Sequence, residues 1–371
     1  MPQPLPDPNF IDRDAQAITR DMVSQYEAAA GKTLYPAQPE RLMVDVIAYR
    51  ETLLRIAIQE AAEQNLVRFA RAPMLDYLGE LVCVRRLPAR QAQCQILISL
   101  DQPRPQDVLI PSGAGLRAKD GQTFVLKDSL AVPAGARAAT ATAMAASPGG
   151  GANGFLPGEI VSAGDGLWPA GVTAANADTS SGGADPESDD RLRSRILLGP
   201  EGFAVAGPAA AYQASAMGVH QDIIDVGVRA AWPGLVAIAP LTKDGQPSPG
   251  LLSLVADALN AADVRPLSDQ VVVMPPGRVP FEINAAITLC AWADQTPVMT
   301  AVQNTLKAYV AELRLKLGRE IIPSRFITQA SDVPGVYAVE LASPTATTPR
   351  PDQYADCTGI TLTFAGYGNA D

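Results

Sequence analysis

The stretch LDYLGELVCVRRLPARQAQCQILISL, residues 75–100, concentrates the residue types that could do chemistry. Cys83 precedes Arg85 and Arg86, a positive setting that would favour a nucleophilic thiolate. Such a thiolate also needs a base, and His220, the chain's one histidine, lies far away in sequence. Cys83 therefore reads as a small apolar residue leaving a helix. Cys94 and Cys290 sit within apolar runs and are expected to be buried. With Cys357 they make four cysteines, widely spaced and without a CxxC pair, which suits neither a disulfide framework nor a zinc site. One histidine also argues against HExxH zinc motifs and most Ser-His-Asp arrangements.

Three other stretches invite a chemical reading. DPESDD places Asp185, Glu187, Asp189 and Asp190 together, as a hard cation would require. The spacing lacks the glycine and terminal Glu of an EF-hand, and acidic residues opening a helix explain it equally well. SPGGGANGFLPGE is glycine-rich but has no GK[ST] and no strand–glycine–helix context, so it reads as a long turn at a sheet edge. His220 follows Met217 and Gly218, where a helix-terminal or surface histidine is expected. No carboxylate pair stands out for sugar hydrolysis. No catalytic residues, no cofactor-binding residues and no metal ligands are assigned from these patterns.

Composition narrows the function classes further. The chain has 371 residues, 47% of them hydrophobic, enough for two or three domains with a core each. Its 29 basic and 39 acidic residues give a net charge of −10, which argues against nucleic-acid binding. No run of about 20 apolar residues exists to cross a bilayer. The opening MPQPLPDPNF lacks a basic region followed by an apolar run, so it reads as no signal peptide and assembly in a cytoplasm is expected.

The elements that would position these residues follow from periodicity. Ile18, Met22 and Tyr26 recur every four residues over 12–30, and Gly31 stands where a left-handed cap would. From Glu40 to Ala72 there is neither glycine nor proline, and Leu42, Val46, Tyr49, Leu53 and Ile56 draw one helical stripe. Met43, Ile47, Leu54, Ala57 and Ala61 widen it. So broad an apolar face must be covered by other helices or by another chain. After Pro88 the period changes to two: Ala92, Cys94, Ile96, Ile98 and Leu100 alternate with mostly polar residues, as in a half-buried strand. Strand signals separated by Gly, Pro and Asp continue to about residue 165. Residues 173–187 read as a polar loop, Ser188 as an N-cap with Asp189 and Asp190 in the first turn, and Gly207-Pro208 as the start of a helix with proline first. The remainder runs β-β-α-β-β-α-α-β-β, which suggests helices packed on an antiparallel sheet. The predicted fold class is multi-domain α+β: a helical frame with an inserted small β domain and a C-terminal α+β domain. The predicted divisions are a helical segment at 1–88, a β-rich insert at 89–170, a helical segment at 171–220 completing the frame, and an α+β domain at 221–371.

The order of segments, from ERLMVDVIAYRETLLRIAIQEAAEQNLVRFARAPMLDYLGELVCVRRLPA through GADPESDDRLRSRI to RPLSDQVVVMPPGRVPFEINAAI, resembles the baseplate J family of contractile phage tails and related contractile particles. The resemblance is carried by the first of these, with its L-D-x-L-G turn (Leu75, Asp76, Leu78, Gly79) and V-x-R (Val84, Arg86). It continues through I-P-x-G (Ile110, Pro111, Gly113), G-x-N-G (Gly151, Asn153, Gly154), GADPESDDRLRSRI, and RPLSDQVVVMPPGRVPFEINAAI as the entry to a C-terminal sheet. The shared residues read as structural: Gly79 can take positive φ, and Pro111-Ser-Gly113 suits a turn. The resemblance implies a non-enzymatic baseplate subunit in the tail of a virion or related particle. It would form wedges with a second baseplate protein, meet other copies of itself in a ring around tube and spike, and neighbour the sheath and hub. Neither nucleic acid nor direct membrane insertion is implied. The stripe Leu42, Val46, Tyr49, Leu53 and Ile56 is the expected partner-helix interface, and Asp76, Gly79, Pro111 and Gly113 the structural motif positions. A second reading makes residues 90–165 a receptor- or glycan-binding β module, against which the few aromatics there (Phe124, Phe155, with Trp168 just beyond) weigh. A soluble enzyme would need a polar constellation that the sequence does not contain.

Overall fold

A computed structural model describes residues 6–162, 164, 166–204, 208–243, 245–261 and 269–368. Gly207, Ala262 and residues 265–268 of the sheet-entry motif lie outside these. The chain divides into two compact units, one comprising residues 1–86 with 188–197, the other residues 87–187 with 198–371. The fold class is α+β and multi-domain.

The first unit is helical. α1 spans Ala15–Ala30; Asp14 caps it by accepting hydrogen bonds from Gln16 N and Ala17 N, and Gly31 ends it at φ +63°, the left-handed turn that glycine takes without strain. α2 spans Pro39–Glu63 and opens with proline in its first turn. It stops before the glycine- and proline-free stretch does: the Asn65 side-chain amide donates to Ala61 O and Gln64 Oε1 accepts from Arg71 N, so side chains satisfy the chain leaving the helix. α3 spans Met74–Glu80 and α4 spans Asp189–Leu198, with Asp189 and Asp190 in the first turn of α4 as expected. Ala70, Leu75, Leu192 and Ile196 form the small core that joins α3 to α4.

The second unit begins with a barrel. β1 (Gln93–Leu100), β2 (Val108–Ile110), β3 (Gly115–Ala118), β4 (Thr123–Leu126), β5 (Leu130–Val132), β6 (Ala138–Ala145), β7 (Ile160–Ser162) and β8 (Val172–Asn176) follow in order. Six of them close in the order β1-β6-β4-β3-β7-β8, while β2 and β5 pair separately. The period-two residues Ala92, Cys94, Ile96, Ile98 and Leu100 all point into this core. β8 corrects the loop reading of residues 173–187. Val172, Ala174 and Asn176 are buried while Thr173 is exposed, the alternation of a strand, and without β8 the barrel would stay open between β1 and β7.

The rest of the unit holds α5 (Ala209–Met217), β9 (Ile223–Trp232), β10 (Leu235–Thr242), α6 (Pro249–Leu259), β11 (Gln270–Val273), β12 (Gly277–Cys290), α7 (Gln295–Arg314), α8 (Pro323–Ser331), β13 (Val336–Ser343) and β14 (Gln353–Gly368). Pro208 caps α5 from outside rather than occupying its first position. The element order matches expectation, but the pairing differs from one antiparallel sheet. Among the described residues it forms two three-stranded sheets, β11-β10-β9 and β13-β12-β14. Each holds one antiparallel and one parallel pair, the parallel ones being β10 with β11 and β12 with β14. α6 lies between β10 and β11 in the chain, a helical crossover that returns the chain to run parallel, whereas α7 and α8 lead from β12 to the antiparallel β13, and residues 344–352 then carry the chain past β12 to β14. Ile283, Ala285, Ile287 and Leu289 of β12 pack with Val302, Leu306, Tyr309 and Leu313 of α7 in the largest core of this region.

Candidate functional site

α2 is apolar over most of its circumference, yet only Val44, Ala48, Thr52 and Gln59 are buried. These four make a single row, enough to seat one helix neighbour and no more. Gln59 is satisfied at its place: its Oε1 accepts from Phe10 N and its Nε2 donates to Pro8 O and to Glu63. Flanking the row on one side run Leu42, Val46, Tyr49, Leu53 and Ile56, which are 57%, 62%, 62%, 41% and 38% exposed. Met43, Ile47, Leu54 and Ile58, on the other side, are exposed as well. A helix with apolar residues all round belongs inside a bundle, and contiguous exposed apolar surface of this kind marks an interaction site. Ion pairs bound the surface: Arg41 with Asp45 at 2.9 Å, and Arg55 with Glu51 at 2.7 Å, each four residues apart on the helix.

The L-D-x-L-G turn is built around Asp76. Its carboxylate accepts two hydrogen bonds from Arg86, at 2.8 and 3.0 Å, and Arg86 also donates to Asp189 at 2.7 Å. One guanidinium thus ties α3, the segment leaving it and the first turn of α4, with its pKa raised chiefly by the Asp76 bond. Partial burial works against ionisation of Asp189, but the bonds from Arg86 and from Ala72 N outweigh it and hold the carboxyl below the usual range. Arg193 supports the same corner by donating to Val67 O and Ala70 O.

Gly79 corrects one expectation. It does not take positive φ; a Cβ there would lie 2.5 Å from Val84 O and 3.3 Å from Ile196 Cδ1, so glycine is required for close approach. The left-handed residue of this turn is Cys83, at φ +57° and exposed. Gly113 does adopt the expected turn, at φ +83°, with Ala114 N bonded back to Pro111 O. The glycine-rich segment is pinned at Asn153, whose side chain both donates to and accepts from Gly183.

The remaining candidates take structural places. Cys94 is buried in the barrel and burial pushes its thiol up to about 12; Cys290 is only half-buried, at the end of β12, out of step with the buried Ile283, Ala285, Ile287 and Leu289. His220 is buried, 3% exposed, rather than on the surface; its Nδ1 accepts from Asp222 N. Beside it Gln221 donates to Pro88 O and Asp185 O. Nothing in the spacing of these residues signals that contact. The acidic run disperses: Asp185 accepts from Gly150 N, Glu187 from Leu87 N, Asp189 pairs with Arg86 and Asp190 with Arg193. Among the described residues no group of three or more His, Cys, Asp or Glu side chains could hold a metal ion. No helix among them is long and apolar enough to cross a membrane. The barrel's aromatics are committed: Phe124 and Phe155 pack edge-on at 6.0 Å, and Trp168 donates to Gly115 O.

Three family models match this chain. The Baseplate J-like N-terminal domain matches residues 39–93, the central domain residues 204–275 and the C-terminal domain residues 281–363. Baseplate protein J of Escherichia phage P2 is 38% identical over 162 residues, which cover 43% of this chain and 53% of that protein. The matched stretch thus spans about half the relative's length. A chain of the 6-fold symmetrised cryo-EM structure of the anti-feeding prophage baseplate aligns over 92% of this chain and 90% of its own, at 12% identity and a TM-score of 0.46. With the three domains in one order along its length and α2 opening the first of them, the chain belongs to the baseplate J family.

Proposed function

We propose that this chain is a non-enzymatic structural subunit of a contractile-tail baseplate. In this reading α2 packs its stripe of Leu42, Val46, Tyr49, Leu53 and Ile56 against helices of a second baseplate protein to form a wedge. Neighbouring wedges join through the other domains into a ring around tube and spike, beside the sheath and hub, and the ring rearranges when the sheath contracts. Such rearrangement needs an interface with two packings. The subunit is placed in the tail of a virion or related particle and assembled in the bacterial cytoplasm, without nucleic acid or membrane insertion. The division at 1–88, 89–170, 171–220 and 221–371 is kept as the proposed functional partition. The observation that carries the reading is the exposed apolar surface of α2, within the segment that matches the family's N-terminal domain. Co-expression with the neighbouring tail genes tests it. The second baseplate protein should co-purify with the native chain and not with Leu53→Asp, while the barrel stays folded. Normal particles from Leu53→Asp would overturn the reading.

A further inference from the structure

β14 ends the C-terminal sheet as an edge, bonded along its length to β12 alone. Parallel edges are ordinarily covered, and exposed edges are ordinarily blunted by charge or proline. The opposite edge obeys that rule: β13 has eight residues, carries Glu340 and stops at Ser343, before Pro344. β14 does not. From Cys357 to Gly368 it has no charged residue and no proline, and among the described residues no other segment bridges to it there.

The sequence of this edge indicates what it accepts. Ile360-Thr361-Leu362-Thr363-Phe364 reads almost the same in both directions. Ile360, Leu362 and Phe364 pack toward the helix-covered core, and Thr361 and Thr363 are exposed on the open side. An antiparallel neighbour related by a two-fold axis through Leu362 would set Leu362 opposite its own copy, Ile360 opposite Phe364, and Thr361 opposite Thr363. Every pair then matches in kind and in face. Aromatic with β-branched and threonine with threonine are among the favourable cross-strand combinations. An isologous interface demands this self-complementarity, and a foreign strand would not select it. Just beyond, the register shifts between Ile287 and Thr288, with Gly366 at φ +120°. The bulge brings Phe364 and Tyr367 to 5.1 Å on one side and leaves Tyr367 54% exposed beside the edge, an anchor of the type that interfaces favour.

We propose that the edge of β14 is a seam between two copies of this chain, paired antiparallel about Leu362 into a continuous six-stranded sheet. The proposal names a copy-to-copy contact within the ring and rests on the assembly reading for its place there. The test is sedimentation equilibrium of the full chain carrying Val46→Asp, which takes α2 out of self-association. This parent is expected to dimerise. Thr361→Lys with Thr363→Lys sets lysine against lysine twice and should raise the dimer dissociation constant about tenfold or more. Thr361→Lys with Thr363→Glu sets lysine against glutamate and should return it to within about threefold of the parent. Both positions are exposed, and both double variants lose the Thr363 hydroxyl bond to Ala285 O, so the two should share one melting temperature at or slightly below that of the parent. A parent that stays monomeric at about 0.1 mM, or lysine–lysine and lysine–glutamate variants that dimerise alike, would overturn the seam. Failure of the wedge reading registers elsewhere, as co-purification of the second baseplate protein that Val46→Asp leaves intact.

Discussion

Replacing Val46 by Asp tests α2 at a position where the free chain has little to lose. Val46 is 62% exposed, so the substitution removes few internal contacts. Valine and aspartate have similar helix propensities. The free chain should therefore keep its stability to within about 0.5 kcal/mol. The complex is different. Fully burying a valine contributes about 1.5–3 kcal/mol, so covering the exposed part of Val46 contributes about 1–2 kcal/mol. A carboxylate held in its place and stripped of water without a partner costs several kcal/mol more. Together these exceed about 4 kcal/mol, a loss of about a thousandfold in affinity. Quantitative pull-down of the second baseplate protein by tagged native and variant chains, with circular-dichroism melting as the control, reads both halves. Equal capture by the two chains, or a variant that melts well below the native chain, would refute the reasoning.

Other outcomes follow from the same geometry. Gly79→Ala should destabilise the helical unit by about 1–3 kcal/mol, because a methyl 2.5 Å from Val84 O forces the backbone apart; its melting transition should fall by several degrees. Asp76→Asn takes the charge from a two-bond contact to Arg86 and should cost about 1–3 kcal/mol, read by urea denaturation. Since the Asp189 carboxyl lies below its unfolded value, its contribution is present above the usual carboxylate range and is lost as pH falls through the lowered value; Asp189→Asn should flatten the acid limb of the stability curve. At pH 8, a thiol reagent should modify exposed Cys83 readily and leave Cys94, pushed up to about 12, untouched until the chain unfolds.

Local patterns were the legible part of the fold. Gly31 announced the end of α1, the alternation from Ala92 to Leu100 announced β1, and the stripe on α2 announced a face that this chain leaves uncovered. Strand direction was not legible. Whether β12 runs with or against β14 depends on whether the connection after β13 crosses past β12, a non-local matter that period-two patterning does not encode. β8 was hidden because its residues, Val-Thr-Ala-Ala-Asn, are small and its strand is short; barrel closure, not side-chain pattern, makes it a strand. Gly79 was marked by its motif but for another reason, since close approach of Val84 and Ile196 requires the tertiary fold to be known. The ties of Gln59 and Gln221 join residues far apart in sequence and left no local signal.

The central claim is that another chain covers the apolar surface of α2 in an assembled baseplate. A cryo-EM reconstruction of the particle formed with the neighbouring tail proteins measures that most directly. The account predicts that Leu42, Val46, Tyr49, Leu53 and Ile56 are buried against a helix of a second protein. A particle in which those five side chains face solvent would contradict it.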